Sequence, residues 1–242
     1  MTMGKQTIYL IPGVGADETV FSRLTFPKQF EVKYLEWLPL NQHEKLDGYV
    51  ERLSKKISPD TQPIYLGLSF GGIVASELSK LIPAKKVILI SSIKTHYERP
   101  LRMSLLELFP LHRFLPGKMA LDSKLWHDWA FGKTTAEEQV LIDNMIKNVD
   151  LAFNEWAVHQ AINWENKAPV DNILHIHGDR DKIFPTSFMR DYTCVPGGTH
   201  FMIVSKANEV SEIIARELAN LGGVKNSKSK TIRKLDEKNK AA

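Results

Sequence analysis

The sequence predicts an α/β fold, a mostly parallel sheet with helices on both faces and a helical segment inserted between two strands. Three observations predict it. Short apolar, β-branched runs alternate with helix-period segments through residues 7–90, and near-continuously apolar strands belong to sheets covered on both faces. The rhythm breaks after Ser91-Ser92, where residues 94–167 carry helical patterns rich in Leu, Phe and Trp and no convincing strand. It resumes at residue 172 with a strand, a short strand and a closing helix. With 242 residues, 43% of them hydrophobic, the chain can bury a core of this size.

Residues 7–11 form the first strand, stopped by Pro12-Gly13. Residues 31–38 alternate weakly and end at Pro39. Residues 44–57 place Leu46, Val50, Leu53 and Ile57 at spacings of three and four, one face of a helix. A strand over 63–68 leads into a helix over 71–82, with Val74, Leu78 and Leu81 on one side and Pro83 as its stop. Residues 86–90 are again a strand. In the insertion, residues 103–109, 124–131, 136–148 and 153–164 read as helices. Residues 172–177 and 191–195 are strands, and residues 207–221 a helix with Val210, Ile213, Ile214, Leu218 and Leu221 before the Gly222 stop. The expected organisation is a core of residues 1–93 and 168–222, an inserted helical unit of 94–167, and a tail of 223–242.

Charge and composition exclude several classes. The formal charge is +4, but residues 223–242 hold seven basic residues against two acidic ones, a net of +5 that leaves −1 for the rest. A lysine-rich terminus after two glycines is expected to be a solvated tail, so no nucleic-acid partner is expected. No apolar run approaches the roughly 18 residues of a membrane span, so none is expected. Only Ile8 to Ile11 are apolar before Pro12, short of the roughly 7–15 residues of a secretory core segment. The one cysteine, Cys194, leaves no internal disulfide framework and no multi-cysteine zinc site. A cytoplasmic location is expected. No metal is expected either, because His175 and His177 share a strand without carboxylate companions.

Gly67-Leu68-Ser69-Phe70-Gly71 matches G-x-S-x-G between a strand and a helix. That context forces the serine into a sharp turn at a helix N-terminus, where partial positive charge favours a developing anion. A serine hydroxyl needs a base to take its proton, and the base needs an orienting carboxylate. Both should follow later strands, at the sheet edge that holds Ser69. After the strand 172–177 come Asp179 and Asp181; after the strand 191–195, Pro196-Gly197-Gly198-Thr199 leads to His200.

These motifs resemble the α/β-hydrolase family, in particular small serine esterase-like members with a cap. The resemblance covers about residues 6–221 and includes the loop Pro12-Gly13-Val14-Gly15-Ala16-Asp17. In the family's G-x-x-D-x-x-x-P pattern, here Gly178 to Pro185, the second acid belongs to the triad. The resemblance therefore implies Ser69 as nucleophile, His200 as base and Asp181 as its orienting acid, with Asp179 bracing the turn. It implies an oxyanion hole from the backbone N–H groups of Phe70 and Val14. The family's common His-Gly pair is Pro12-Gly13 here, so positioning by that histidine is missing; Asp17 is expected to N-cap the segment 18–24. The family's two leading strands have no counterpart.

Trp126, Trp129, Trp156 and Trp164, four of the five tryptophans, fall in or beside the insertion, which resembles a cap. Cap-core packing explains such residues, and so does an apolar ligand site. Trp126, Trp129 and Phe201 are the candidate substrate contacts. The expected partner is a small molecule, a small or medium carboxylic ester with an apolar acyl or aromatic group, with no cofactor. A ligand-binding protein with little turnover, an acyltransferase, and a thioester or carbon–carbon bond hydrolase remain open. Oligomeric state is not legible.

Overall fold

The inner strands of the central sheet are buried on both faces, and residue parity sorts their side chains into two cores. The computed structural model describes residues 6–58, 62–101, 103, 127–129, 131–147 and 149–221. Its six strands are β1 (Gln6–Ile11), β2 (Phe30–Tyr34), β3 (Ile64–Leu68), β4 (Lys86–Ile90), β5 (Ile173–Gly178) and β6 (Thr193–Val195). They are all parallel, in the order β2-β1-β3-β4-β5-β6.

Tyr9, Ile11, Tyr65, Val87 and Leu89 face one core, closed by α1 (Leu46–Ser54), α2 (Phe70–Leu81) and α4 (Leu151–Ile162). Ile8, Leu10, Ile64, Leu66, Ile88, Ile90 and Ile176 face the other. That side is closed by α3 (Ala136–Lys147), the short α5 (Met202–Ser205) and α6 (Ala207–Leu221). Burying a large aliphatic side chain contributes roughly 1.5–3 kcal/mol, so the alternation commits each strand to a single register.

The strand expected over 31–38 ends at Tyr34. Leu35 still donates to Leu10 O, but Trp37 then turns inward onto Phe70 and Phe153, and the N–H of Leu38 donates to Tyr49 Oη. Aromatic packing wins over continued pairing. The stripe expected on α2 is also corrected: Val74 and Leu78 are fully buried, whereas Leu81 is 51% exposed at the helix end and Ile73 takes an inward place. Asp17 caps a 3-10 turn over Glu18–Phe21 through the N–H of Thr19, shorter than the helix expected there.

Of the insertion, α3 and α4 lie among the described residues, and Ile142 and Phe153 send them to opposite cores. Two indoles pin the second: Trp156 Nε1 donates to Glu44 O and Trp164 Nε1 to Glu77 Oε1, each at 2.7 Å. Residues 104–109 of the expected helix over 103–109, Trp126 and the basic tail fall outside the described residues. Among the described residues no helix is long and apolar enough to cross a membrane.

Candidate active site

Ser69 sits between the last residue of β3 and the first of α2 with φ +51° and ψ −118°. A non-glycine residue there costs on the order of 1–3 kcal/mol unless its surroundings impose it. They do. The N–H of Ser69 donates to Ile90 O at 2.9 Å, while its carbonyl accepts from the N–H of Gly72 at 2.9 Å and from Ser92 Oγ at 2.7 Å. The flanking glycines are needed for space: a Cβ on Gly67 would overlap Gly71 O, and one on Gly71 would overlap the carbonyls of Ile11 and Pro12. The half-buried hydroxyl thus stands at the N-terminus of a twelve-residue helix.

His200 and Asp181 reach this hydroxyl from β6 and β5. His200 Nε2 lies 3.0 Å from Ser69 Oγ, and His200 Nδ1 lies 2.8 Å from Asp181 Oδ2. The two loops touch backbone to backbone, since a Cβ on Gly178 would overlap Gly198 O. Asp179 braces this junction: its Oδ1 accepts from the N–H of Gly197 at 2.6 Å, and the N–H of Arg180 donates to Gly198 O at 2.9 Å. Asp181 is the acid that meets His200; its other oxygen accepts from the N–H groups of Ile183 and Phe184 at 2.8 and 2.9 Å. Burial alone would raise the Asp181 pKa. The imidazoles of His200 and His177 outweigh that and hold the carboxyl well below the usual carboxylate range.

The loop after β1 abuts the serine, with a Cβ on Gly13 falling 3.3 Å from Ser69 Cβ. Neither the N–H of Val14 nor that of Phe70 donates to another described residue. Phe70 heads an aromatic cluster, with its ring centroid 5.9 Å from both Trp37 and Trp156 and with Phe153 5.0 Å from Trp37. Asn154, on α4 and 8% exposed, places its amide 3.4 Å from where a Gly15 Cβ would lie, and makes no side-chain hydrogen bond among the described residues.

Of the expected substrate contacts, Trp126 lies outside the described residues and Trp129 is half-buried on a helical turn. Phe201 is 4% exposed, packed on Phe131 at 5.2 Å within the core of α5 and α6. Trp37 and Asn154 escaped sequence reasoning; only the tryptophan carried a signal, as an aromatic two residues before the proline that ends its run. Two surface clefts, about 730 Å3 beside Glu77 and Gln160 and about 460 Å3 beside Tyr97 and Phe188, include none of Ser69, Asp181 and His200. Hydrogen-bonded geometry, not concavity, marks this site. Among the described residues no group of three or more His, Cys, Asp or Glu side chains is arranged to hold a metal.

Burial first, then the neighbouring His177 and Lys94, hold His175 well below its ordinary imidazole value. His175 is therefore neutral when folded, whereas the unfolded chain takes up a proton there below pH 6.5. The contribution is fully present above pH 6.5 and is lost as pH falls from there towards the folded value. A slope rising towards a limit of about 1.4 kcal/mol per pH unit is expected from this group. Urea midpoints between pH 7 and 5 should fall less steeply for His175→Gln than for the unsubstituted protein; equal slopes would show that His175 does not stay neutral.

The sequence matches no protein-family model and no curated protein. Solved structures do resemble it. MenH from S. aureus aligns at 16% identity and TM-score 0.67, covering 92% of this chain and 96% of its own. A thermophilic esterase from Thermogutta terrifontis aligns at 15% and 0.66, over 89% and 90% of the two chains. A bromoperoxidase from Bacillus anthracis aligns at 13% and 0.65, over 88% and 91%. At such identities the likeness speaks for architecture, and with the parallel six-stranded order it means that this chain has the α/β-hydrolase fold.

Proposed function

We propose that the protein is a cofactor-free serine hydrolase acting on carboxylic esters with an apolar acyl or aromatic group. The observation that carries the reading is the single hydrogen-bonded line from Ser69 Oγ through His200 to Asp181, at 3.0 and 2.8 Å. Ser69 Oγ attacks the ester carbonyl carbon while His200 Nε2 takes its proton. The carbonyl oxygen becomes an oxyanion, which the N–H groups of Val14 and Phe70 stabilise together with the N-terminus of α2. As the tetrahedral intermediate collapses, the carbon–oxygen bond to the alcohol breaks and His200 gives the proton to the departing oxygen. Water then attacks the acyl-enzyme, losing its proton to His200, which returns it to Ser69. Asp181 stays ionised throughout and holds the imidazole with its proton on Nδ1.

The aromatic cluster of Phe70, Trp37, Phe153 and Trp156 supports the apolar preference, and residues 94–167 serve as the cap in this reading. A fluorophosphonate probe should label the protein on the peptide containing Ser69, and chromogenic esters of increasing acyl length should turn over with one length preferred. Absence of labelling together with absence of turnover across the panel would refute the reading.

A further inference from the structure

Asp181 Oδ2 serves two imidazoles, lying 2.8 Å from His200 Nδ1 and 3.1 Å from His177 Nε2. His177 Nε2 is also 2.9 Å from Phe184 O. A carboxylate and a carbonyl only accept, so this nitrogen carries the proton and His177 Nδ1 is left as an acceptor. Its partner is His175 Nε2 at 3.2 Å, which lies 3.0 Å from Ser92 O as well. The same reasoning puts the His175 proton on Nε2 and turns Nδ1 towards the Lys94 ammonium, 3.1 Å away. Lys94 is itself fixed by Glu98 Oε1 at 2.9 Å and by the carbonyl of Arg190.

Ser92 closes the circuit. Its carbonyl accepts from His175, and its hydroxyl donates to the carbonyl of Ser69 at 2.7 Å. A ring of contacts therefore runs from Ser69 through His200, Asp181, His177, His175 and Ser92 back to Ser69. Apart from Ser69, every member is at most 8% exposed, as are Lys94 and Glu98. Tyr192 packs on both imidazoles of β5, at 6.1 and 6.3 Å. The donor directions are consistent, with one path from Lys94 through His175 and His177 and another from Ser69 through His200, both leading to the Asp181 carboxylate.

We propose that His177 is a positioning residue for Asp181, held by His175, Lys94 and Glu98 in the tautomer that donates to the carboxylate. The inference rests on the reading of Ser69, His200 and Asp181 as the reacting trio. With the N–H groups of Ile183 and Phe184 on Oδ1, His200 Nδ1 on Oδ2 and His177 Nε2 3.1 Å from Oδ2, donors stand on both sides of the carboxylate. The plane of Asp181, and with it the aim of His200, is then fixed from two sides. An apolar side chain in place of His177 fills the same space but leaves Phe184 O without this partner and the carboxylate held from one side only.

The test combines a spectroscopic measurement with kinetics on the full chain. In the 15N-histidine spectrum of the unsubstituted protein, His175 and His177 should be neutral with the proton on Nε2, and His200 should carry its proton on Nδ1. His175→Gln and His177→Gln assign the signals. On the best ester of the panel, His177→Leu should lower kcat by about 10- to 100-fold while KM stays within about twofold. His177→Gln, which keeps an N–H near the Nε2 position, should recover most of that loss.

A proton on His177 Nδ1, a doubly protonated His177, or Leu and Gln variants that are folded and equally impaired would overturn the proposal. So would kcat of His177→Leu within about twofold of the unsubstituted protein. Should His177→Leu not fold, the spectrum of the unsubstituted protein decides. The spectrum needs no turnover, so failure of the ring is told apart from failure of the serine reading, which fluorophosphonate labelling reports.

Discussion

Ser69→Ala should lower kcat by about 10^4- to 10^6-fold and abolish fluorophosphonate labelling, with thermal stability little changed. Alanine keeps the Cβ and so the backbone strain at φ +51°, and it keeps the N–H and carbonyl that bond Ile90, Gly72 and Ser92. Only the hydroxyl leaves, and it has a single side-chain partner, His200 Nε2. Slow turnover above the water rate should survive if the proposed Val14 and Phe70 amides still stabilise a developing oxyanion. Steady-state rates, labelling and a melting curve on one preparation check all three points. Undiminished labelling would remove Ser69 from the chemistry.

Asp181→Asn should be nearly as costly, about 10^4-fold in kcat, for a reason visible in its four donors. Two backbone N–H groups, from Ile183 and Phe184, meet Oδ1; two imidazoles meet Oδ2. An asparagine has one acceptor oxygen. Turning that oxygen to the backbone donors points the amide N–H2 at His200 Nδ1, which must then present a lone pair. The His200 proton moves to Nε2, where it can no longer accept from Ser69. The alternative flip breaks two backbone bonds. A kcat within tenfold of the unsubstituted protein would show that Asp181 does not set the tautomer. By contrast, Asp179→Asn should cost little in kcat, because Asp179 touches the Gly197 N–H and not the imidazole.

Much of this site was legible because its parts follow strand ends. The apolar runs over 64–68, 86–90 and 173–178 and the glycines around Ser69 and His200 have local physical causes. Choosing Asp181 over Asp179 needed a family pattern, since both follow the same strand; the structure separates them by the partner each meets. What remained illegible depends on contacts far apart in the chain. Trp37 leaves its strand for an aromatic cluster with Phe153, and Leu81 loses its place in the core because the helix ends beside solvent. His175 and His177 were readable as sharing one strand, but the parity of a strand does not say that Lys94, 81 residues earlier, meets one of them.

Ser69 and His200 are separated by 131 residues, with the whole insertion and three strands between them. Parallel pairings of such span form late, after the entropy of closing long loops has been overcome. In a chain emerging from the ribosome, the hydroxyl is therefore an ordinary inert alcohol until almost the last strand arrives. On the proposed reading, the nascent polypeptide carries no armed nucleophile, and reactivity switches on only as the finished molecule locks shut.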